Sequence, residues 1–353
     1  VEVGKISRKK VKIVNNKSRP VIEEQCTHCH KCQEHCSFLS KYKIDIGDTE
    51  ALKELAYHCF LCGKCTQVCP IGIDGKEIIL NLRRESVKED NEVNVRKTYK
   101  RTIAEKLDYS YRNYRHVTKK SVLFPGCNFP SLYPKTTEIL AELLETEAGI
   151  GIVYDCCGKP ISDLGMADEE QKILRKIENR LVDEGVTEII TLCPNCYYYL
   201  KNNISIKVEN IYKKLKELGI GEKIAGGGRM FVPCPDRIEN EMLCDLNFFL
   251  EEESSVITEV QCCGLGGQGG TLEAELSKGF SKKLKDSGGV IYTYCGSCVG
   301  KLSRNGCRQI RHVLPEILGT GEKPDTVKSL LNRKKTKYLV KKINFYKRKI
   351  KFL

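Results

Sequence analysis

The chain has 353 residues, 59 Lys plus Arg against 46 Asp plus Glu for a net charge of +13, and 20 Cys. This length suggests two or three domains, each large enough to bury a core. With a mean hydropathy of −0.36, no apolar run long enough to span a bilayer and no charged-then-apolar leader, a secreted or integral membrane protein is not expected. Disulfide-dense scaffolds are short and secreted, so thiols at this density in a long chain point instead to metal held inside a reducing cell.

Residues 1–20 form a basic arm with seven Lys/Arg and one Glu. Two tandem runs follow within 21–90: Cys26-x2-Cys29-x2-Cys32-x3-Cys36, and Cys59-x2-Cys62-x2-Cys65-x3-Cys69-Pro70. Runs of this kind bind two cubane 4Fe–4S clusters, the fourth Cys of each run ligating the other cluster. Three thiolates at three-residue steps wrap one cluster, and a distant fourth closes the cage. Cys26, Cys29, Cys32 and Cys69 are thus assigned to one cluster, and Cys59, Cys62, Cys65 and Cys36 to the other. Ser37 replaces the usual Pro after the first run. Zinc prefers two CxxC pairs and has no use for two four-Cys runs. Between the runs, residues 49–57 read as a helix capped by Asp48, which favours an α-helical ferredoxin over a compact β-hairpin one.

After an expected linker at 91–119, the chain repeats itself. Cys127, Cys156-Cys157 and Cys193-x2-Cys196 form one set; Cys234, Cys262-Cys263 and Cys295-x2-Cys298 form a second, offset by 107, 106 and 102 residues. Each Cys group follows a short apolar run, at 121–124, 151–154 and 188–192 and again at 230–232, 255–260 and 289–294. Helical patterns lie between, at 135–148, 168–184, 238–250 and 271–286. This alternation predicts a parallel α/β layer in each half, over 120–225 and 226–320, with the thiols beyond the carboxyl ends of the strands. Gly158 in one half, and Gly264, Gly266, Gly267, Gly269 and Gly270 in the other, are expected to let backbone approach an inorganic centre and offer N–H groups to its sulfurs. Gly266-x-Gln268 opens no dinucleotide fingerprint, so neither flavin nor NAD is expected on this chain.

Five thiolates per half exceed the needs of one cubane or one zinc ion. A vicinal disulfide redox pair at Cys156-Cys157 and Cys262-Cys263 would leave both CxxC pairs without a role. Cys244 and Cys307 stand outside both sets and read as buried structural thiols. The tail, 321–353, is basic: residues 322–353 carry twelve Lys/Arg and two acids. In it Leu339, Ile343, Tyr346, Ile350 and Leu353 mark one apolar stripe of a helix. Such a helix suits an anionic membrane, an acidic partner, or its own protein's surface. No stacking aromatics accompany the charge, so nucleic acid is not expected.

These residues resemble the CCG-domain proteins that include the catalytic iron–sulfur subunit of heterodisulfide reductase. Phe124-Pro125-Gly126-Cys127, Cys156-Cys157-Gly158-x-Pro160, Leu192-Cys193-x2-Cys196-Tyr197 and Cys262-Cys263-Gly264 match its motif positions, and His312 and Glu316 resemble its His-x3-Glu ending. Pro235 follows Cys234 where the family often has His. The resemblance covers roughly residues 22–320. It implies an α-helical ferredoxin domain plus two tandem α/β CCG domains related by a pseudo-twofold duplication. It also implies two cubanes and up to two non-cubane 4Fe–4S clusters, each of the latter held by the five Cys of one half. The implied activity is reduction of a disulfide, or of a related thiol substrate, within an oxygen-sensitive complex. Other redox subunits, a flavoprotein or a membrane cytochrome, would be partners, in the cytoplasm or against the inner face of the membrane. Similar chains also relay electrons for flavin-dependent glycerol-3-phosphate, glycolate or lactate dehydrogenases, and that is the competing reading. A non-enzymatic electron donor and a zinc scaffold are weaker alternatives. For His312 a helix cap or core hydrogen bond is the preferred reading.

Overall fold

The computed structural model describes residues 25–118, 120–252 and 254–338. The basic arm and the apolar stripe from Leu339 to Leu353 lie outside these residues.

Residues 25–86 are short helices joined by the two cysteine runs. Helices Lys31–His35, Ser37–Tyr42 and Thr49–Leu55, a 3-10 turn Ala56–His58, then Lys64–Val68 and Gly75–Ser86, follow one another. Phe38, Leu39, Ile46, Leu52, Ile78, Ile79 and Leu82 form their core. Asp48 stands at the start of the 49–55 helix, yet its carboxylate accepts from the Asp45 amide at 2.6 Å rather than from the first helical turn. The two runs share one backbone path: His28 and His30 in the first, Leu61 and Gly63 in the second, all have positive φ, between 46° and 69°. Three non-glycine residues in this region are uncommon. Their recurrence at matching places shows that the two loops bend alike.

The rest is two sheets. β1 (Asn113–His116), β2 (Lys120–Phe124), β3 (Gly151–Tyr154), β4 (Val186–Thr191) and β5 (Lys207–Asn210) lie in the order β1-β3-β2-β4-β5, parallel except for β1. β6 (Arg229–Met230), β7 (Ser255–Val256), β8 (Ile291–Thr293) and β9 (Ile310–His312) lie as β7-β6-β8-β9, all parallel. Without β1, the first sheet runs β3-β2-β4-β5, the same path through the chain as the second. Helices Pro134–Ala148, Ala167–Asp183 and Ala274–Asp286 connect the strands. Leu140, Leu144, Ile177, Leu181 and Leu284 on them pack with Val122, Ile189 and Ile291 of the strands in one core. The apolar runs thus become buried parallel strands because helices cover their faces.

Two expected boundaries are corrected. The stretch 91–119 is no linker: it holds helices Glu92–Thr98 and Lys100–Lys106 and edge strand β1. The tail begins later than residue 321, because helix Ser329–Tyr338 is docked on the body. Asn332 is buried and donates to the Ser131 carbonyl at 3.1 Å, and Asn113 donates to the Thr336 carbonyl at 2.8 Å.

Both sheets hold the helical part. Arg83 donates to the Asp163 carbonyl and Tyr57 to that of Leu164, both in the first half. From the second half, the buried Glu273 carboxylate takes Lys41, Tyr42 and His58 at 2.6–2.7 Å. No helix among the described residues is long and apolar enough to cross a membrane.

Candidate metal centres

Cys26, Cys29, Cys32 and Cys69 line one small pocket, together with Asp45, Ile46, Pro70 and Ile73. Cys29 is exposed, so this outer group opens to solvent. The Ile73 amide donates to Cys69 Sγ at 3.3 Å, and Asp45 lies 3.9 Å from Cys26 Sγ. Gly47 leaves the space: a Cβ there would stand 2.7 Å from Cys26 Sγ.

The second group is sealed. Cys36, Cys62 and Cys65 are buried, and Cys59 is half-buried. The Cys65 thiol feels the charges of Cys59, Cys62 and Cys36 together. Burial pushes Cys36 up to about 12 and Cys59 up to about 11, the latter against the pull of Arg83. A hydrogen bond from Cys262 brings Cys62 down to about 5. The chain therefore gathers one thiol of each run with three of the other, twice.

The ten thiols of the body lie beyond the strand ends and touch one another in sequence. Cys127 meets Cys156, Cys156 meets Cys157, Cys157 meets Cys196, and Cys196 meets Cys193. Cys193 then reaches Cys295 of the second set, which continues through Cys298 to Cys263. Cys234 and Cys262 divide from that file and lean on Cys62 of the helical part. The first set is thus one contiguous group and the second is split. Hydrogen bonds from Cys156 and Cys196 bring Cys157 down to about 5, a thiolate ready for metal, whose uptake must release protons from its neighbours.

One buried and three half-buried cations accompany these thiols, and no sequence pattern marks them. Arg83 is 0 % exposed, and its four hydrogen bonds end on carbonyls: two on Ala56, one on Cys59 and one on Asp163. Arg237 donates to the Cys62 and Gln261 carbonyls and, at 3.9 Å, to Cys234 Sγ. Lys106 Nζ stands 3.4 Å from Cys127 Sγ. Lys106 also pairs with Glu105 at 2.7 Å, and against the lowering by burial the Cys127, Cys156 and Glu105 charges together raise its pKa. Arg333 binds Glu105 and Asn128 beside the same thiols, with its Nε buried and unbonded among the described residues. A buried guanidinium compensated only by carbonyls costs several kcal/mol unless an anion is near. A cluster with thiolate ligands is such an anion. Left-handed residues turned inward at each run add an amide-lined concavity of the kind that holds iron–sulfur centres. The donor set and its surroundings therefore fit iron–sulfur clusters.

The glycines divide. The Gly264 amide donates to Cys262 Sγ at 3.3 Å, in line with its expected role. Gly266, Gly267 and Gly269 instead make room for the helical part: a Cβ on them would stand 2.6–2.7 Å from the carbonyl oxygens of Phe60, Cys59 and His58. Gly158, at φ +88°, clears Ile173. At these four glycines the missing side chain is used for packing.

Cys307 is buried, but Cys244 is exposed, because helix Glu241–Leu246 turns Met242 and Leu246 inward. No motif in the sequence singles out Asp236. Fully buried, it accepts from Tyr198, Tyr294 and the Met242 and Leu243 amides, tying the two halves beside the thiol file. His312 caps helix Val313–Ile317 by accepting from the Leu314 amide at 3.2 Å. Burial holds its pKa down to about 3. Unfolded histidine titrates near 6.5, so protons bind the unfolded state first and stability falls as pH drops from about 6.5 toward 3. Between pH 6.5 and 5.5 His312 should therefore cost about 1 kcal/mol, which His312→Asn, still a cap, should abolish in denaturant midpoints.

Residues 121–201 match the cysteine-rich CCG domain, and the chain carries that domain. The chain is similar to two proteins named as iron–sulfur proteins and to one named as a fumarate reductase subunit. It is 24 % identical over 285 residues to an uncharacterized iron–sulfur protein of Methanococcus maripaludis, covering 70 % of this chain and 55 % of that one. It is 24 % identical over 335 residues to one subunit of the fumarate reductase (CoM/CoB) of Methanothermobacter marburgensis, covering 77 % and 66 %. An uncharacterized iron–sulfur protein of Methanocaldococcus jannaschii is 26 % identical over 263 residues, covering 65 % and 53 %. The chain thus spans between about half and two thirds of the length of these relatives. What the match and these similarities show of this chain is a CCG domain and a likeness to proteins named as iron–sulfur proteins.

Proposed function

We propose that this chain is the iron–sulfur subunit of a redox complex in which electrons are exchanged between a partner and a small thiol/disulfide couple. The observation that carries this reading is the file of mostly buried thiols from Cys127 to Cys263, with Lys106 and Arg333 sharing the single carboxylate of Glu105 beside it and Arg83 and Arg237 bonded to carbonyls. Clusters held there would supply one-electron storage at the two tandem runs and a redox-active, Lewis-acidic iron at the body thiols. The chain's own residues do the rest. Lys106 and Arg333 hold negative charge at Cys127 and Cys156, Arg83 does so at Cys59, and Arg237 at Cys62 and Cys234. Asp236 ties the two halves through Tyr198 and Tyr294, and His312, kept neutral by burial, caps the helix that follows the last strand of the second sheet.

The two halves are read as duplicates, 120–225 and 226–320, on the strength of their common strand order and their offset cysteines. Residues 25–86 are read as a two-cluster ferredoxin-like domain on the strength of their two thiol groups. That a relative is named as one subunit of a fumarate reductase supports work within a complex. The basic terminal segments suit an acidic partner subunit or an anionic inner membrane face.

The test is anaerobic turnover with a low-potential one-electron donor and candidate disulfides. Two electrons per disulfide should yield two thiols, with the EPR signal of the body thiol site altered by the thiol. Electron passage to a quinone analogue, with no thiol formed and no altered signal, would favour the flavin-dehydrogenase relay instead.

A further inference from the structure

Two near-identical cysteine loops have been given unlike surroundings. Their backbones match, with left-handed residues at His28 and His30 and again at Leu61 and Gly63. Their local amide donors match as well: the His28 amide serves Cys26, and the Leu61 amide serves Cys59 Sγ at 3.3 Å. What differs comes from elsewhere in the chain. Beside the outer group lies the Asp45 carboxylate, 3.9 Å from Cys26 Sγ. Over the inner group lie two residues of the second body half. The Gln261 side-chain amide stands 3.8 Å from both Cys36 Sγ and Cys62 Sγ, while its oxygen accepts from the Ser37 amide at 2.6 Å. Arg237 binds the Cys62 carbonyl and carries its charge against Cys62.

Gln261 is buried, and both its ends are engaged. The bond to Ser37 fixes the side chain so that its N–H2 group must face the sulfurs. Hydrogen bonds and positive charge at ligand sulfurs favour the more negative, reduced level of an iron–sulfur centre, whereas burial opposes it. The inner group is buried, so without such donors its potential would fall.

We propose that Gln261 and Arg237 are positioning residues of the second body half that hold up the reduction potential of the inner centre, at Cys36, Cys59, Cys62 and Cys65, and leave the outer one untouched. This rests on the cluster reading above and adds to it which residues tune which centre. The body, not the cysteine runs, then distinguishes two otherwise equivalent sites. The inner one is also the one whose Cys62 touches Cys262 of the body.

The experiment is an anaerobic EPR-monitored redox titration of the full chain, with iron content measured on each sample. Gln261→Met should shift one of the two reduced ferredoxin-type signals to lower potential and leave the other in place. Gln261→Glu, which keeps the acceptor for Ser37 but replaces the donor with a carboxylate, should shift the same signal further. Arg237→Met should move that signal down too, and Arg237→Lys, which keeps the charge, should move it less. If Gln261→Met does not load its clusters, the Glu and Lys variants read the same potential. Unshifted signals at full iron content, or equal shifts of both, would overturn the proposal. A wild-type protein lacking two such signals would refute the cluster reading instead.

Discussion

Replacing Arg83 with Met is expected to destabilise the protein by about 3–5 kcal/mol, enough to unfold a marginally stable domain. The side chain is fully buried and its hydrogen bonds serve the carbonyls of Ala56, Cys59 and Asp163. Methionine fills much of the same volume but takes the donor from the Cys59 and Asp163 carbonyls, at about 1–3 kcal/mol for each buried group, while the Ala56 carbonyl keeps the Cys59 amide at 3.3 Å. It also removes the positive charge beside Cys59. Because Asp163 belongs to the first body half, the loss should appear as loosening of the helical part from the body as well as a lower denaturation midpoint. Anaerobic denaturant unfolding of the full chain measures it. A change below about 0.5 kcal/mol would mean that Arg83 carries no such burden.

The second large effect is expected at Cys157. It lies midway along the thiol file, bonded to both Cys156 and Cys196. Cys157→Ala should remove about four irons per chain, since the four-iron centre that the first body set would hold loses one of its five thiolates. It should also lower thiol/disulfide turnover by about 100-fold or more, in keeping with the loss of a metal ligand. The ferredoxin-type signals should persist, because the helical part holds its own thiols. Retained iron and turnover in this variant would exclude the first body set as a metal site.

Much of this architecture is legible in the sequence because it rests on local patterns. The run GlyIleValTyr becomes β3 at Gly151–Tyr154, and the helical patterns at 135–148 and 168–184 fall within a residue of the observed elements. The strands that escape notice are short and polar. β5 reads LysValGluAsn and β9 IleArgHis, so each carries too few apolar residues to register a period. β1 and the docked helix Ser329–Tyr338 are equally hidden, since what holds them is packing against distant chain, as in the bond from Asn113 to Thr336.

The site divides in the same way. Cysteine spacing exposes the thiols, but it gives no hint of Arg83, Arg237, Lys106, Arg333 or Gln261. Each becomes informative only when residues far apart in the chain are brought together, as Gln261 is with Cys36. The glycine-rich stretch 264–270 misleads for the same reason. Read locally, its missing side chains invite an inorganic centre. In the fold, Gly266, Gly267 and Gly269 receive the backbone of His58–Phe60 instead.

The most direct measurement is iron and acid-labile sulfide on the full chain purified without oxygen. Two four-iron centres at the tandem runs and one at the contiguous first body set predict about 12 of each per chain, and a further centre at the split second set brings this to about 16. About 8 of each would leave the body thiols without metal and contradict their assignment as a redox centre.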